Sequence, residues 1–230
     1  MTMSPPNALF IAVNEELRVS GLWQRPLDAY AAFVFAHGAG AGMRHPFMNE
    51  IADALAAAGV ASLRFQFPYL ERGLRRPDPP ALCHATVRAA VACAAALAPQ
   101  LALFAGGKSF GARMTSQAQA ALPLPGVRGL VFLGFPLHPA QRPSTERARH
   151  LSAVRVPLLF LQGTRDALAE LSLLEPLVEG LGPLATLHRL EGADHAFHVL
   201  KRAGGSDAEI RAQLVRECSA WMRRQSEGGG

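Results

Sequence analysis

Residues 101–112 read Leu101-Ala102-Leu103-Phe104-Ala105-Gly106-Gly107-Lys108-Ser109-Phe110-Gly111-Ala112. Leu101–Ala105 is a short apolar run. Two glycines follow it, and a helical pattern then extends to about Ala121. Between strand and helix lies Gly107-Lys108-Ser109-Phe110-Gly111, a G-x-S-x-G. On such a turn the serine occupies a sharp bend with its Oγ exposed, and the flanking glycines let other backbone approach without a Cβ clash. The first helical turn also offers N–H groups that lack intrahelical partners, next to any negative charge that develops at the serine.

The same residues carry a rival reading. Ala102 to Ser109 is A-x-x-x-x-G-K-S, a relaxed phosphate-loop pattern that would make the chain a nucleotide-binding protein. That loop needs its strand before the first position and flexible residues within the motif. Here the strand-like run lies inside the motif, and Pro99-Gln100 stand before it. No apolar run ends in an acidic residue suited to Mg²⁺. A Ser109–Lys108 pair is also disfavoured, because adjacent side chains on an extended segment point apart. The S-x-x-K pattern is missing, since position 112 is Ala112.

The strand signature recurs outward from this segment. Ala31–Ala36 ends in His37-Gly38, Leu130–Leu133 in Gly134, and Leu158–Leu161 in Gln162-Gly163. Val60–Phe65 and Ala185–Leu190 are weaker examples. Apolar runs of this length suit strands buried on both faces of a parallel sheet. Helical patterns alternate with them. Pro46 opens one with Phe47, Ile51 and Leu55 before Gly59; Ala81–Ala98 is alanine-rich; Ser206 and Glu209 form a capping box ahead of Ile210, Leu214, Cys218 and Trp221/Met222. The rhythm predicts an α/β fold, a mostly parallel central sheet with helices on both faces and right-handed crossovers. Leu9–Val13 and Leu17–Trp23 are expected as antiparallel edge strands.

The chain has 230 residues, which predicts one domain over residues 1–227 and a flexible glycine tail at 228–230. Hydrophobic residues make up 50% and charged residues 18%, a composition that excludes a disordered or fibrous chain. The net charge of +5 does not mark a nucleic-acid binder, because the basic residues are scattered and no element carries a basic stripe. Arg72, Arg75 and Arg76 form the densest group, read as a solvated loop; with Arg64 they are secondary candidates for an anionic substrate. The three cysteines, Cys83, Cys93 and Cys218, are expected as reduced thiols. No leader is read in Met1–Pro6, and the longest apolar run, Ala89–Pro99, is about half a membrane span. The expectations are a cytoplasmic location, no nucleic-acid or membrane partner, and a monomer or homodimer.

A serine hydroxyl needs an adjacent base. With an elbow of this kind the partners follow in chain order, acid then histidine, each after a later strand. Asp166 lies just past Leu158–Gly163, and His195 lies past Ala185–Leu190 in Glu191-Gly192-Ala193-Asp194-His195. The rival base is His198, and the rival acids are Asp194 and Glu191. His195 and His198 stand at i, i+3, but no third ligand is evident, so no metal site is expected. His37-Gly38-Ala39-Gly40-Ala41-Gly42 follows an early strand. Its N–H groups and that of Phe110 are the candidate oxyanion donors, with Ala39 first and Gly40 next. A dinucleotide loop is excluded, since Met43 and His45 stand where a third glycine could fall. Gly38, Gly40, Lys108, Tyr69 and His138 are the candidate substrate contacts.

With these residues placed, the chain resembles the α/β-hydrolase superfamily over nearly its whole length, and within it the small dienelactone-hydrolase-like group. Four segments resemble a bacterial branch related to the third subunit of the non-specific-lethal chromatin complex: 37–41, Arg64-Phe65-Gln66-Phe67-Pro68-Tyr69, 106–111, and Gly192-Ala193-Asp194-His195-Ala196-Phe197-His198. Ala112 departs from that branch's usual glycine, but the elbow glycines are intact. The resemblance implies an α/β-hydrolase fold and a serine hydrolase acting on a small-molecule ester or thioester. Ser109, Asp166 and His195 would be its triad, with no metal or organic cofactor. The branch's eukaryotic relative suggests a second reading, a catalytically silent interaction module. The stretch Leu137–Arg155 is too short for a helical cap, so no large lid domain and an open site are expected.

Overall fold

The computed structural model describes residues 5–200 and 205–227; the expected glycine tail and the first four residues lie outside the described residues. Eight strands form one sheet: β1 (Asn7–Ala12), β2 (Arg18–Gln24), β3 (Ala31–Ala36), β4 (Val60–Phe65), β5 (Ala102–Lys108), β6 (Val127–Leu133), β7 (Leu158–Gly163) and β8 (Ala185–Leu190). Their spatial order is β1-β2-β4-β3-β5-β6-β7-β8. The pairs from β4 to β8 are parallel, whereas β1–β2 and β2–β4 are antiparallel. Both antiparallel strands expected near the start are therefore present, with β1 at the edge and β2 inside it against β4.

The helices are α1 (Pro46–Ala57), α2 (Pro68–Glu71), α3 (Pro80–Leu97), α4 (Phe110–Ala121), α5 (Leu171–Gly180) and α6 (Asp207–Glu227). Strand alternation divides the core between the two faces of the sheet. Ala32, Val34 and Ala36 of β3 pack with α3 and α4 residues such as Val87 and Met114. Phe33 and Phe35 of the same strand pack with Ile51 and Leu55 of α1 and Trp221 of α6. This two-sided cover explains why β3, β4 and β7 are buried at every position. Local signals set the helix ends. His45 accepts the Phe47 N–H ahead of Pro46, and Ser206 and Glu209 exchange hydrogen bonds as a capping box. The 18-residue α3 is apolar enough by composition to cross a bilayer, yet Cys83, Val87, Ala90, Val91 and Ala94 are buried in the core.

Two elements differ from the sequence reading. β5 runs on through Gly106, Gly107 and Lys108, because these residues keep their pairing with β3 and β6. A phosphate-cradling loop at 102–109 is thereby replaced by extended strand. α5, which contains Pro176, fills the β7–β8 crossover and has no counterpart in the sequence reading. Between β6 and β7 a 3₁₀ segment, Glu146–Ala153, lies against α4, and no large lid is built there.

Candidate active site

The carboxyl ends of β3, β5, β7 and β8 open on one edge of the sheet, where open α/β sheets bind ligands. Ser109 caps α4 with φ 52° and ψ −109°, a region strained for a residue with a side chain. Close packing holds it there. A Cβ on Gly107 would lie 2.3 Å from the Ala36 carbonyl oxygen, and one on Gly111 2.5 Å from the same atom. The elbow therefore presses directly on the end of β3. Gly107→Ala is expected to lose about 2–3 kcal/mol by overpacking, read as a lowered urea midpoint. Gly180→Ala, where a Cβ would meet nothing within 4 Å, serves as the control. Equal midpoints for the two variants would refute the packing argument.

The acid and base loops are joined by a second close approach. A Cβ on Gly163 would lie 2.4 Å from the Ala193 carbonyl oxygen, and the Arg165 N–H donates to that same oxygen at 2.9 Å. This contact brings Asp166 beside His195. His195 Nδ1 lies 2.7 Å from Asp166 Oδ2, and His195 Nε2 lies 2.8 Å from Ser109 Oγ. Asp166 is 3% exposed, and its carboxylate also accepts from Gln162 Nε2 at 2.5 Å and from the Leu168 N–H at 2.8 Å. With the proton on Nδ1, the imidazole leaves Nε2 free to accept from the serine.

The rival residues are engaged elsewhere. Asp194 accepts the N–H groups of Ala196 and His198 within its own loop, Glu191 takes the Thr164 hydroxyl, and His198 faces Asp207 at 2.9 Å. Among the described residues no group of three or more His, Cys, Asp or Glu is arranged to hold a metal ion.

His37 sets the geometry of the loop facing the serine. It is fully buried, with Nδ1 2.7 Å from the Gly38 carbonyl oxygen and Nε2 accepting the Phe67 N–H at 3.1 Å. The second bond requires an unprotonated Nε2, so Nδ1 carries the hydrogen and donates to Gly38. The peptide is planar and trans. Pinning the Gly38 carbonyl on His37 therefore turns the Ala39 N–H to the opposite side, and Ala39 lines the cleft with Ser109 and Phe110. The alternative donor is occupied, since the Gly40 N–H donates to the Tyr69 hydroxyl at 3.1 Å. The N–H of Phe110, at the first position of α4, has no intrahelical partner.

Burial, opposed only by the bond to Gly38, lowers the His37 pKa from 6.5 to about 4. Between those values the unfolded chain binds a proton that the native state excludes. The His37 contribution is thus complete above pH 6.5 and fades as pH falls toward 4, by about 3 kcal/mol in all. In urea titrations the stability advantage of wild type over His37→Gln should shrink across that interval. A constant difference would refute the neutral, buried state of His37.

Several expected substrate contacts prove to be supports. Tyr69 is fully buried and braces the Gly40 N–H. His138 is fully buried with Nδ1 turned to the Pro139 carbonyl, so it lines no part of the cleft. Lys108 points behind the histidine, as an extended strand demands of the residue next to Ser109. Its ammonium donates to the His195 backbone carbonyl and lies 4.6 Å from the Phe197 ring centroid. Burial pushes its pKa down to about 8, with Asp166 and Asp194 opposing. Gly38 packs against the Ser109 side, and Gly40 adopts φ +73° with open space around it, a conformation that favours glycine. Arg64 is buried on Asn49 and Gln24 beneath the sheet edge, Arg72 pairs with Asp78, and Arg75 and Arg76 are exposed.

The cleft beside Ser109 has a volume of about 370 Å³. Phe110, Met114, Pro136 and Leu168 give it an apolar wall, while Arg113, Arg147 and Asp78 add charge. Sequence reasoning passed over Arg113 and Arg147; the helical offset of four residues from Ser109 was the available signal for the former.

Residues 29–223 match a family described as "Alpha/beta hydrolase domain". Among solved structures, the chain is similar to an α/β serine hydrolase without lid from Xanthomonas campestris, with TM-score 0.72 and 22% identity over 96% of this chain and 97% of that one. It is similar to a dienelactone hydrolase from Anabaena variabilis, with TM-score 0.76 and 22% identity over 96% and 99% of the two chains. A third similar structure is an esterase domain from a Rhodothermus marinus protein, with TM-score 0.73 and 19% identity over 96% and 99%. At these identities the likeness concerns the fold.

Proposed function

Because the chain belongs to the α/β-hydrolase family, we propose that it is a serine hydrolase that cleaves a small carboxylic ester or thioester through an acyl-enzyme. The observation that carries this reading is the continuous hydrogen-bonded row Ser109–His195–Asp166, 2.8 and 2.7 Å between successive polar atoms, at the edge of an accessible cleft. Ser109 Oγ attacks the carbonyl carbon while His195 Nε2 takes its proton. Asp166 fixes the imidazole tautomer and stabilises the cation that forms. The N–H groups of Phe110 and Ala39 hold the oxygen as it becomes negative. His195 then protonates the departing alkoxide or thiolate. A water molecule, deprotonated by the same histidine, attacks the acyl carbon and frees Ser109.

The reading extends to setting: a monomer or homodimer in the cytoplasm, working on a dissolved substrate. The test is labelling of the purified protein with a fluorophosphonate probe, together with turnover of short 4-nitrophenyl esters and acyl thioesters. Labelling confined to Ser109, with turnover, supports the proposal. Folded protein that neither labels nor turns over any ester would favour the interaction-module reading instead.

A further inference from the structure

Ester cleavage by Ser109, His195 and Asp166 gives Lys108 no chemical step, yet its charge sits against the histidine. The side chain is partly buried, and its ammonium donates to the His195 backbone carbonyl. The ammonium lies 4.6 Å from the Phe197 ring centroid and 6.0 Å from that of Phe47, and these two rings stack at 5.6 Å. On its other side it meets the imidazole across Gly134, at the end of β6. A Cβ on Gly134 would lie 3.1 Å from Lys108 Nζ and 3.6 Å from His195 Nδ1 and Cε1.

The loop at 193–199 is shaped by its own bonds. The Asp194 N–H donates to the His198 carbonyl at 3.0 Å, and the Phe197 N–H donates to the Asp194 carbonyl at 2.9 Å. Phe197, 1% exposed, is held at φ 65°, an unfavourable value for a residue with a large side chain. The Lys108 bond ties this loop to β5, the strand that delivers Ser109. Among charged groups, Asp166 after β7 and Asp194 after β8 face the ammonium; His195 is its titratable neighbour. Among the described residues Lys108 joins no ion pair. Burial pushes its pKa down to about 8, so the charge is kept at a cost to stability, as happens at functional positions.

We infer that Lys108 is a positioning residue for His195: its positive charge, seated on the His195 carbonyl and the Phe197 ring, holds the 193–199 loop where Nε2 faces Ser109, and activity is lost with that charge. This rests on the hydrolase reading above. A neutral amine is a weaker donor and loses the attraction to the aromatic faces. The loop then relaxes from its strained form, and a misplacement of about 1 Å at a catalytic group costs about 10²-fold in rate. Repulsion between the ammonium and the imidazolium formed in the reaction acts the other way. Asp166 and Asp194, facing the same ammonium, offset it.

The experiment follows kcat for 4-nitrophenyl acetate, corrected for spontaneous hydrolysis, from pH 6 to pH 10 in wild type, Lys108→Met and Lys108→Gln. Wild-type kcat is expected to fall at alkaline pH with a midpoint near 8. At pH 7 both variants should lie about tenfold or more below wild type with KM little changed, and neither should show the alkaline fall. Lys108→Gln, an N–H donor without the charge, also keeps the test valid if Lys108→Met fails to fold. Urea titrations supply the readout that a merely structural lysine would not give. The cost of the Lys108 charge is complete below pH 8 and is relieved as pH rises toward 10.5, because there the unfolded chain holds a proton that the native amine has released. Wild-type stability relative to the variants should therefore rise across the interval in which its activity falls. Activity that holds or rises through pH 8, wild-type kcat in Lys108→Gln, or activity that tracks stability overturns the inference, while Ser109 labelling by fluorophosphonate keeps the hydrolase reading intact. Failure of Ser109 to label, with no ester turned over, removes the hydrolase reading and the inference with it.

Discussion

Ser109→Ala is expected to lower kcat for any ester the protein hydrolyses by about 10⁶-fold and to abolish fluorophosphonate labelling. Among the described residues no second nucleophile stands ready to replace the missing Oγ. His195 Nε2 has Ser109 Oγ as its hydrogen-bond partner, and Lys108 is turned behind the histidine, with its ammonium on the His195 carbonyl. What survives is the part of catalysis that needs no nucleophile: the cleft still binds the ester, and the Phe110 and Ala39 N–H groups still receive a developing oxyanion. That residue amounts to about 10³–10⁴-fold over water in enzymes of this type. Because the row acts as one unit, Ser109→Ala combined with His195→Ala should be scarcely worse than either alone. Steady-state kinetics on one 4-nitrophenyl ester would measure all three variants. Stability should change little, since alanine occupies the same volume less one oxygen. Strictly additive losses, or a single loss smaller than about tenfold, would refute the assignment.

The second large effect is expected from Asp166→Asn, a fall of about 10⁴-fold in kcat. The reason lies in the bonds around the carboxylate. Oδ2 accepts from His195 Nδ1 and Gln162 Nε2, and Oδ1 accepts from the Leu168 N–H. An asparagine amide offers one acceptor and one donor in place of two acceptors. If its NH₂ takes the Oδ2 place, it opposes the Gln162 NH₂ and forces His195 to accept at Nδ1. The proton then moves to Nε2, where it blocks transfer from Ser109. Gln162 cannot turn to help, because its Oε1 accepts the Phe135 N–H at 2.9 Å. If the NH₂ takes the Oδ1 place, it opposes the Leu168 N–H, and the imidazolium forms without a negative neighbour. Either orientation costs catalysis, by the wrong tautomer or by an unstabilised cation. The check is kcat for wild type and variant across pH 6–9, with circular dichroism to establish the fold. A loss below about tenfold would show that Asp166 does not orient His195.

Much of this architecture is legible in the chain because its causes are local. Burial on both faces produces the unbroken apolar runs of β3 and of Leu158–Leu161 in β7. The close approach of Gly107 and Gly111 to Ala36 leaves its trace as G-x-S-x-G. The boundaries of α1 and α6 are set by caps within a few residues. Where the cause is not local, the reading falters. The glycines after Ala105 look like a stop, yet their ladders with β3 and β6 carry β5 on to Lys108. α5 contains Pro176, which on its own argues against a helix, and its Leu174 and Val178 become buried only once the sheet is there to cover them.

From the residues alone follow the succession of the strands and of α1, α3, α4 and α6, the serine on a sharp strand-to-helix turn, and an acid and a histidine after later strands. Packing in three dimensions settles which acid meets which histidine, that His37 rather than a substrate holds the Gly38 carbonyl, that Tyr69 and Lys108 brace the site, and that His138 is buried away from the cleft. It also decided that Arg113 and Arg147 share one cleft. The physical reason is distance along the chain. Ser109 and His195 stand 86 positions apart, and Asp166 and His195 stand 29 apart. No local propensity records such separations; the strand order β3-β5-β6-β7-β8 folds them to hydrogen-bonding range.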